Sequence, residues 1–406
     1  MDFSDHIESK RKKEDIVNRI SKLPINYVGN KRRLLPYIWD ALEQNNIQFD
    51  SVFDAFSGSG IVSLLFKHMG KIVSCNDLLT SSALSSIALV ENNGVMPSID
   101  DMRFLWHNVP KMDDCNRFVR HNYKDKFFTE KECDFLDNYR ENVGILYKGF
   151  YCGADCAGGK QWMKTSASSN GPSDNLRKSA FAMFFIENHI NQFCFIGGRY
   201  YNGQTLAKLE HRLEHDRNKG QEINKSSATA NMKKLKEAFV PGCARAYNSD
   251  IIDLLKGNTS CGKADLLYLD PPYGGNSSDY ANLYRFLEEY LYGKKMEELE
   301  HIQKGSSRFI SSKGYQEQFE YLLSLCSAFK IWMLSYNDSS FADLDTIKSV
   351  IKSAGRSNII VFEVPITYQY RKNKNIVDAE HFKENYTEQG HKYLQRGMEY
   401  LILAMK

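Results

Sequence analysis

The stretch from Ser51 to Glu91 constrains the fold more than any other. Ser51-Val52-Phe53-Asp54-Ala55-Phe56 reads as a short apolar strand that breaks at Ser57-Gly58-Ser59-Gly60. Ile61 to Met69 follows with helical periodicity, and Lys71 to Asp77 is a second strand ending on a carboxylate. Ser81 to Glu91 is helical again. Strand, glycine loop, helix, strand, helix is the beginning of a doubly wound α/β sheet. In such a sheet a ligand sits beyond the carboxyl ends of the strands.

The alternation stops after Asn92 and resumes near Arg245. Ala264 to Leu269 is an unbroken apolar strand that stops at Asp270, and Phe329 to Ser335 is another, followed by Tyr336-Asn337-Asp338. Leu344 to Gly355 is helical; Ile359 to Tyr370 and Glu399 to Met405 read as closing strands. Residues 93–244 are therefore expected to be an inserted domain, and 24–92 with 245–406 the α/β body. Within the insert, Leu176 to Ile190 is an apolar helix. Residues 1–23 read as a basic surface helix or arm around Lys10-Arg11-Lys12-Lys13, and the helix after Asn30 begins near Leu35, since Pro36 suits a first turn.

Charge sharpens this division. Tyr151 to Val240 carries 13 Lys and Arg against 8 Asp and Glu, more than the +3 surplus of the whole chain. A basic insert on a near-neutral body fits a polyanionic partner. The nine cysteines are scattered, and Cys152, Cys156, His189, Cys194 and His211 do not have zinc-site spacing, so no metal is expected. No signal peptide or long apolar run is present, which points to a cytoplasmic protein with reduced thiols and no membrane span.

Four candidate groups fall at strand ends. Gly58 and Gly60 lack the third glycine of a dinucleotide fingerprint and the Lys-Ser/Thr of a P-loop, but they let backbone approach a ligand. Asp77 ends the next strand, where a carboxylate can accept from both ribose hydroxyls of a nucleoside cofactor. Asp270-Pro271-Pro272-Tyr273 cannot continue a central strand; it forms a rigid turn presenting a carboxylate and an aromatic face. The amino group of a base is a poor nucleophile because its lone pair is delocalised into the ring. A carboxylate and a backbone carbonyl that accept its two N–H bonds push the nitrogen towards tetrahedral geometry. Such chemistry needs the base out of the duplex.

Asp270-Pro271-Pro272-Tyr273 together with Phe56-Ser57-Gly58-Ser59-Gly60 resembles the paired motifs of amino-group DNA methyltransferases. The motif order resembles the alpha group, or D12 class, which includes Dam-like and type II restriction-modification enzymes. Tyr27-Val28-Gly29-Asn30-Lys31 is similar to that group's N-terminal cofactor motif. Tyr280 to Glu288 resembles the segment after its catalytic motif, and Leu334-Ser335-Tyr336-Asn337 its following strand. The resemblance implies a Rossmann-like fold dependent on S-adenosylmethionine, with residues 93–244 as the target-recognition domain. It implies that Tyr27, Gly29 and Lys31 contact the methionyl part of the cofactor, and that Phe56, Gly58 and Gly60 line it. By the same resemblance Asp54 takes the cofactor's ammonium and Asp250 reads its adenine. Asp270 orients the target nitrogen, Pro271 offers its carbonyl within the Pro271-Pro272 turn, and Tyr273 stacks on the flipped base. Lys160, Lys178, Arg199, Tyr280 and Asn337 are the expected DNA contacts.

The function expected is methylation of the N6 amino group of adenine in a specific duplex sequence, in a nucleoid-associated restriction-modification or related system with a cognate endonuclease as possible partner. Transfer to the N4 amino group of cytosine, to RNA or protein, and a non-catalytic DNA-binding role are the alternatives.

Overall fold

The computed structural model describes residues 3–147, 173–194, 225–257, 263–272, 279–299, 302, 309, 314–338, 340, 342–371, 386–389 and 392–406. One sheet organises them. Its strands are β1 (Ser51–Asp54), β2 (Ile72–Asp77), β3 (Ala244–Asn248), β4 (Leu266–Leu269), β5 (Ile331–Asn337), β6 (Asn358–Arg371), β7 (Tyr386–Gln389) and β8 (Lys392–Met405). They lie in the order β3-β2-β1-β4-β5-β8-β6, with β7 beside β8. The five strands from β3 to β5 are parallel. β8 runs antiparallel between β5 and β6. The chain winds outward from β1 to β3, then returns to β4 on the other side of β1. That reversal opens a crevice over the carboxyl ends of β1 and β4.

The two-residue period of the strands sorts side chains between two helical layers. Val52, Val73, Leu266, Met333, Leu401 and Leu403 face one core; Phe53, Leu267, Trp332, Leu334, Ile402 and Ala404 face the other. Continuing the alternation puts Asp54, Asp77, Asp270 and Glu399 on the first face. That layer contains α1 (Phe3–Ser21), α2 (Leu35–Gln44), α3 (Ile61–His68) and α4 (Thr80–Ser86). It also takes in α5 (Ile99–His107), α6 (Phe118–Tyr123), α7 (Glu130–Tyr147), α8 (Asp174–Cys194) and α9 (Lys225–Leu235). The second layer is α10 (Ile251–Lys256), α13 (Tyr315–Leu325) and α14 (Leu344–Ser353). Two further helices follow β4: α11 (Tyr280–Leu283), which borders the crevice, and α12 (Arg285–Tyr292), which packs into the first-face core.

Three features differ from the sequence reading. α1 is the helix of the two readings given for residues 1–23, but it is seated on the core rather than lying on the surface, because Ile16 and Ile20 are buried one helical turn apart. β3 gave no apolar run because it is an edge strand of Ala-Arg-Ala-Tyr-Asn with one buried residue, Ala246. Finally, the described helices of residues 93–244 share the first-face core through Leu105, Val119, Leu136, Phe181, Ile186 and Leu235. Those helices are set apart by their place in the chain, not by a core of their own. Among the described residues no helix is long and apolar enough to cross a membrane.

Candidate active site

Five segments line the crevice: the loops after β1, β2, β3 and β4 and the stretch from Tyr27 to Lys31. The first leaves β1 at Asp54, which is 1% exposed. Ser63 of α3 donates to its Oδ2 at 2.6 Å, and its Oδ1 is buried with no hydrogen-bond partner among the described residues. Burial pushes the Asp54 carboxyl up to about 7, against the opposing pull of Ser63. The chain then turns through Gly58 and Gly60, both in the left-handed region with φ of +48° and +74°. A side chain on Gly58 would begin 3.1 Å from the Tyr27 ring, and one on Gly60 3.2 Å from Val90.

The second loop follows β2. Asp77 accepts the Gly58 N–H at 2.8 Å through Oδ2 and the Leu79 N–H at 2.9 Å through Oδ1. Burial raises its carboxyl to about 6, with those two donors pulling it back. The turn that follows is fixed by Glu288 of α12, fully buried, which accepts the Thr80 and Ser81 N–H groups at 3.1 and 2.8 Å and so caps α4.

The third is the Tyr27–Lys31 segment. Tyr27 stacks on Tyr284 with centroids 4.7 Å apart and lies nearly parallel to Tyr280 at 6.1 Å. The Tyr284 hydroxyl accepts the Val28 N–H at 2.7 Å. Asn188 of α8 holds the segment from behind, accepting the Asn26 N–H at 2.7 Å and donating to the Pro24 carbonyl at 2.6 Å. Lys31 thereby reaches Asp270 Oδ1 at 3.1 Å and Glu399 Oε2 at 3.7 Å. Burial alone would lower the Lys31 ammonium, but the Asp270 and Glu399 carboxylates outweigh it and hold it above its ordinary range.

The fourth loop follows β4, where Asp270, Pro271 and Pro272 turn out of the sheet. Across the crevice Asp250 caps α10, accepting the Ile252 and Asp253 N–H groups through Oδ1.

Of the residues singled out from sequence, Tyr27, Gly29, Lys31, Asp54, Phe56, Gly58, Asp77, Asp250, Asp270, Pro271, Pro272 and Tyr280 line this one cavity. Gly60 does not; it opens α3. Asn337 also stands outside the lining, where its Oδ1 accepts from Ser340 at 2.9 Å. Lys178 lies on α8, 3.8 Å from Asp101. Tyr273, Lys160 and Arg199 fall outside the described residues. Sequence reasoning missed Asn76, Leu78, Ser249, Ile251, Tyr268 and Phe309 in the lining, and Glu399 beside Lys31. Glu399 left a readable trace, an acid heading an apolar strand. Phe309, edge-on to Phe56 at 5.8 Å, left none.

A doubly wound sheet with an antiparallel β8 between β5 and β6, and a glycine loop facing a strand-end aspartate, is a Rossmann-like methyltransferase fold. The chain matches the D12 class N6 adenine-specific DNA methyltransferase family over residues 27–348 and belongs to it. It is a site-specific enzyme that methylates adenine in DNA. It is 27% identical over 352 residues to type II methyltransferase M2.HphI of Haemophilus parahaemolyticus, covering 86% of this chain and 94% of that protein. Type II methyltransferase M.FokI of Planomicrobium okeanokoites is 23% identical over 377 residues, 89% of this chain and 52% of its own length. Modification methylase LlaI of Lactococcus lactis subsp. lactis is 22% identical over 382 residues, 88% and 53% respectively. The chain spans about half the length of these last two relatives.

Proposed function

We propose that the crevice binds S-adenosylmethionine as the methyl donor and presents Asp270 to the amino group of a flipped adenine. The observation that carries this is the charge of the lining among the described residues: four carboxylates, Asp54, Asp77, Asp250 and Asp270, face one cation, Lys31. An acid excess in a partly buried crevice suits a ligand bearing a sulfonium and an ammonium. The partnerless buried Oδ1 of Asp54 fits that ammonium. Asp77 takes the ribose hydroxyls, Asp250 the cofactor's adenine edge, and Phe56, Ile251 and Phe309 provide the apolar walls. Gly58 lets the backbone approach, and Tyr27 closes over it.

The bound cofactor supplies an electrophilic methyl group on its sulfonium. The chain's own residues prepare the nucleophile. Asp270 and the Pro271 carbonyl accept the two N–H bonds of the target amine, which frees its lone pair. Asp270 need not be a strong base, because the amine becomes acidic as it is alkylated. Tyr273 stacks on the extruded base. Tyr280, parallel to Tyr27 and close over Gly29, is better suited to the cofactor side than to DNA. Residues 93–244 recognise the target, with Lys160, Lys178 and Arg199 on phosphates; Asn337 borders the duplex. The type II and modification methylases among the relatives support a role in a restriction-modification system, and the same reading includes a cytoplasmic site and a cognate endonuclease as partner.

Calorimetric titration with S-adenosylmethionine tests this. Ligand cations favour ionised carboxylates. With the Asp77 and Asp54 carboxyls raised to about 6 and about 7 in the free protein, affinity should rise from about pH 5 to about pH 8 and level off above. No binding, or an affinity flat across that range, overturns the assignment.

A further inference from the structure

We infer that Glu399 is a positioning residue for Lys31: the lysine retreats from Asp270 towards Glu399 when the target amine takes up Asp270. This rests on the reading of Asp270 given above. Glu399 lies on β8, in register with Asn337 of β5 and Val364 of β6, outside the stretch that matches the family. It is 6% exposed and heads the run Tyr400-Leu401-Ile402-Leu403-Ala404. A carboxylate in such a place is costly unless a cation meets it. Lys31 is that cation. One largely buried ammonium therefore stands between the partly exposed Asp270 and the buried Glu399, 3.1 Å from the first and 3.7 Å from the second. The loop that delivers Lys31 is pinned by Tyr284 and Asn188, so its backbone is held while the flexible side chain can swing between its two partners.

The pair of carboxylates solves a conflict. Asp270 must accept an N–H from the target amine, and positive charge grows on that nitrogen as it is alkylated. An ammonium locked on Asp270 would occupy the acceptor and repel that charge. An ammonium simply expelled would be left buried and unpaired, which is strongly unfavourable. With Glu399 in place, Lys31 keeps a partner at every stage. In the unliganded protein it shields Asp270 from Glu399; with substrate bound it neutralises Glu399 and leaves Asp270 to the amine.

Glu399→Gln keeps the shape and removes the charge. The rate of a single methyl transfer to prebound duplex is expected to fall about tenfold, with cofactor affinity and the KM for DNA within about twofold of the parent. Glu399→Asp should recover part of that rate. In a Lys31→Ala background Glu399→Gln should cause no further loss, because Glu399 acts through Lys31. An equal loss in both backgrounds, or no loss in the parent background, overturns the proposal. If Glu399→Gln fails to fold, Glu399→Asp measured in both backgrounds carries the same comparison. A parent enzyme that puts no methyl group on adenine contradicts the reading of Asp270 instead.

Discussion

Asp270→Ala is expected to lower methyl transfer by about a hundred- to a thousandfold, a loss of the size seen when a preorganised group facing the reacting centre is removed. Cofactor affinity should stay within a fewfold of the parent. The reasoning is geometric. Asp270 leaves β4 at the point where the strand order reverses, and the two prolines behind it hold the turn rigid. Its proposed work is on the target amine, whereas the proposed grip on the cofactor lies with Asp77, Asp54 and the glycine loop on the other side of the crevice. Lys31 keeps Glu399 as a partner when Asp270 is gone, so the loop from Tyr27 to Lys31 should remain in place. Rapid-quench measurement of one turnover beside calorimetry on the same preparation separates the two effects. Loss of cofactor binding in proportion to the loss of activity would move Asp270 out of its catalytic role.

Asp77→Ala should produce the converse result. Its carboxylate is proposed to take two ribose hydroxyls, and hydrogen bonds to a charged acceptor contribute about 1.5–3 kcal/mol each. The cofactor's Kd is therefore expected to rise about a hundredfold or more, even if one of the two bonds is partly replaced by water. Part of that loss is indirect, since Asp77 also accepts the Gly58 and Leu79 N–H groups. Asp77→Asn retains one acceptor and should fall between parent and Ala. DNA binding, measured by anisotropy, should be unchanged in both. Cofactor affinity equal to the parent's in the Ala variant would remove Asp77 from the site.

Much of this was legible in the chain because period and punctuation carry strong local signals. Strand β1, the glycine loop, α3 and β2 were read within a residue or two, as was the strand before Asp270. The family's motifs then brought Tyr27 and Lys31 to the crevice, where the structure also has them. Other parts were silent for physical reasons. β3 is polar at an edge. Phe309 joins the lining from far along the chain, so no spacing rule points to it. Glu399 pairs with Lys31 across more than three hundred and fifty residues, and only the antiparallel entry of β8 beside β5 brings them together. Gly60 lies outside the lining, between Ser59 and Ile61 that belong to it, and its positive φ and closeness to Val90 serve the start of α3.

The central claim, methyl transfer to the amino group of adenine from a donor bound in this crevice, has a direct test. The full chain is incubated with S-adenosylmethionine carrying a labelled methyl group and with duplex DNA of mixed sequence, and the DNA is digested to nucleosides. Label in N6-methyladenosine, dependent on Asp270, is the predicted result. Label in N4-methylcytosine, or none in DNA, would contradict it.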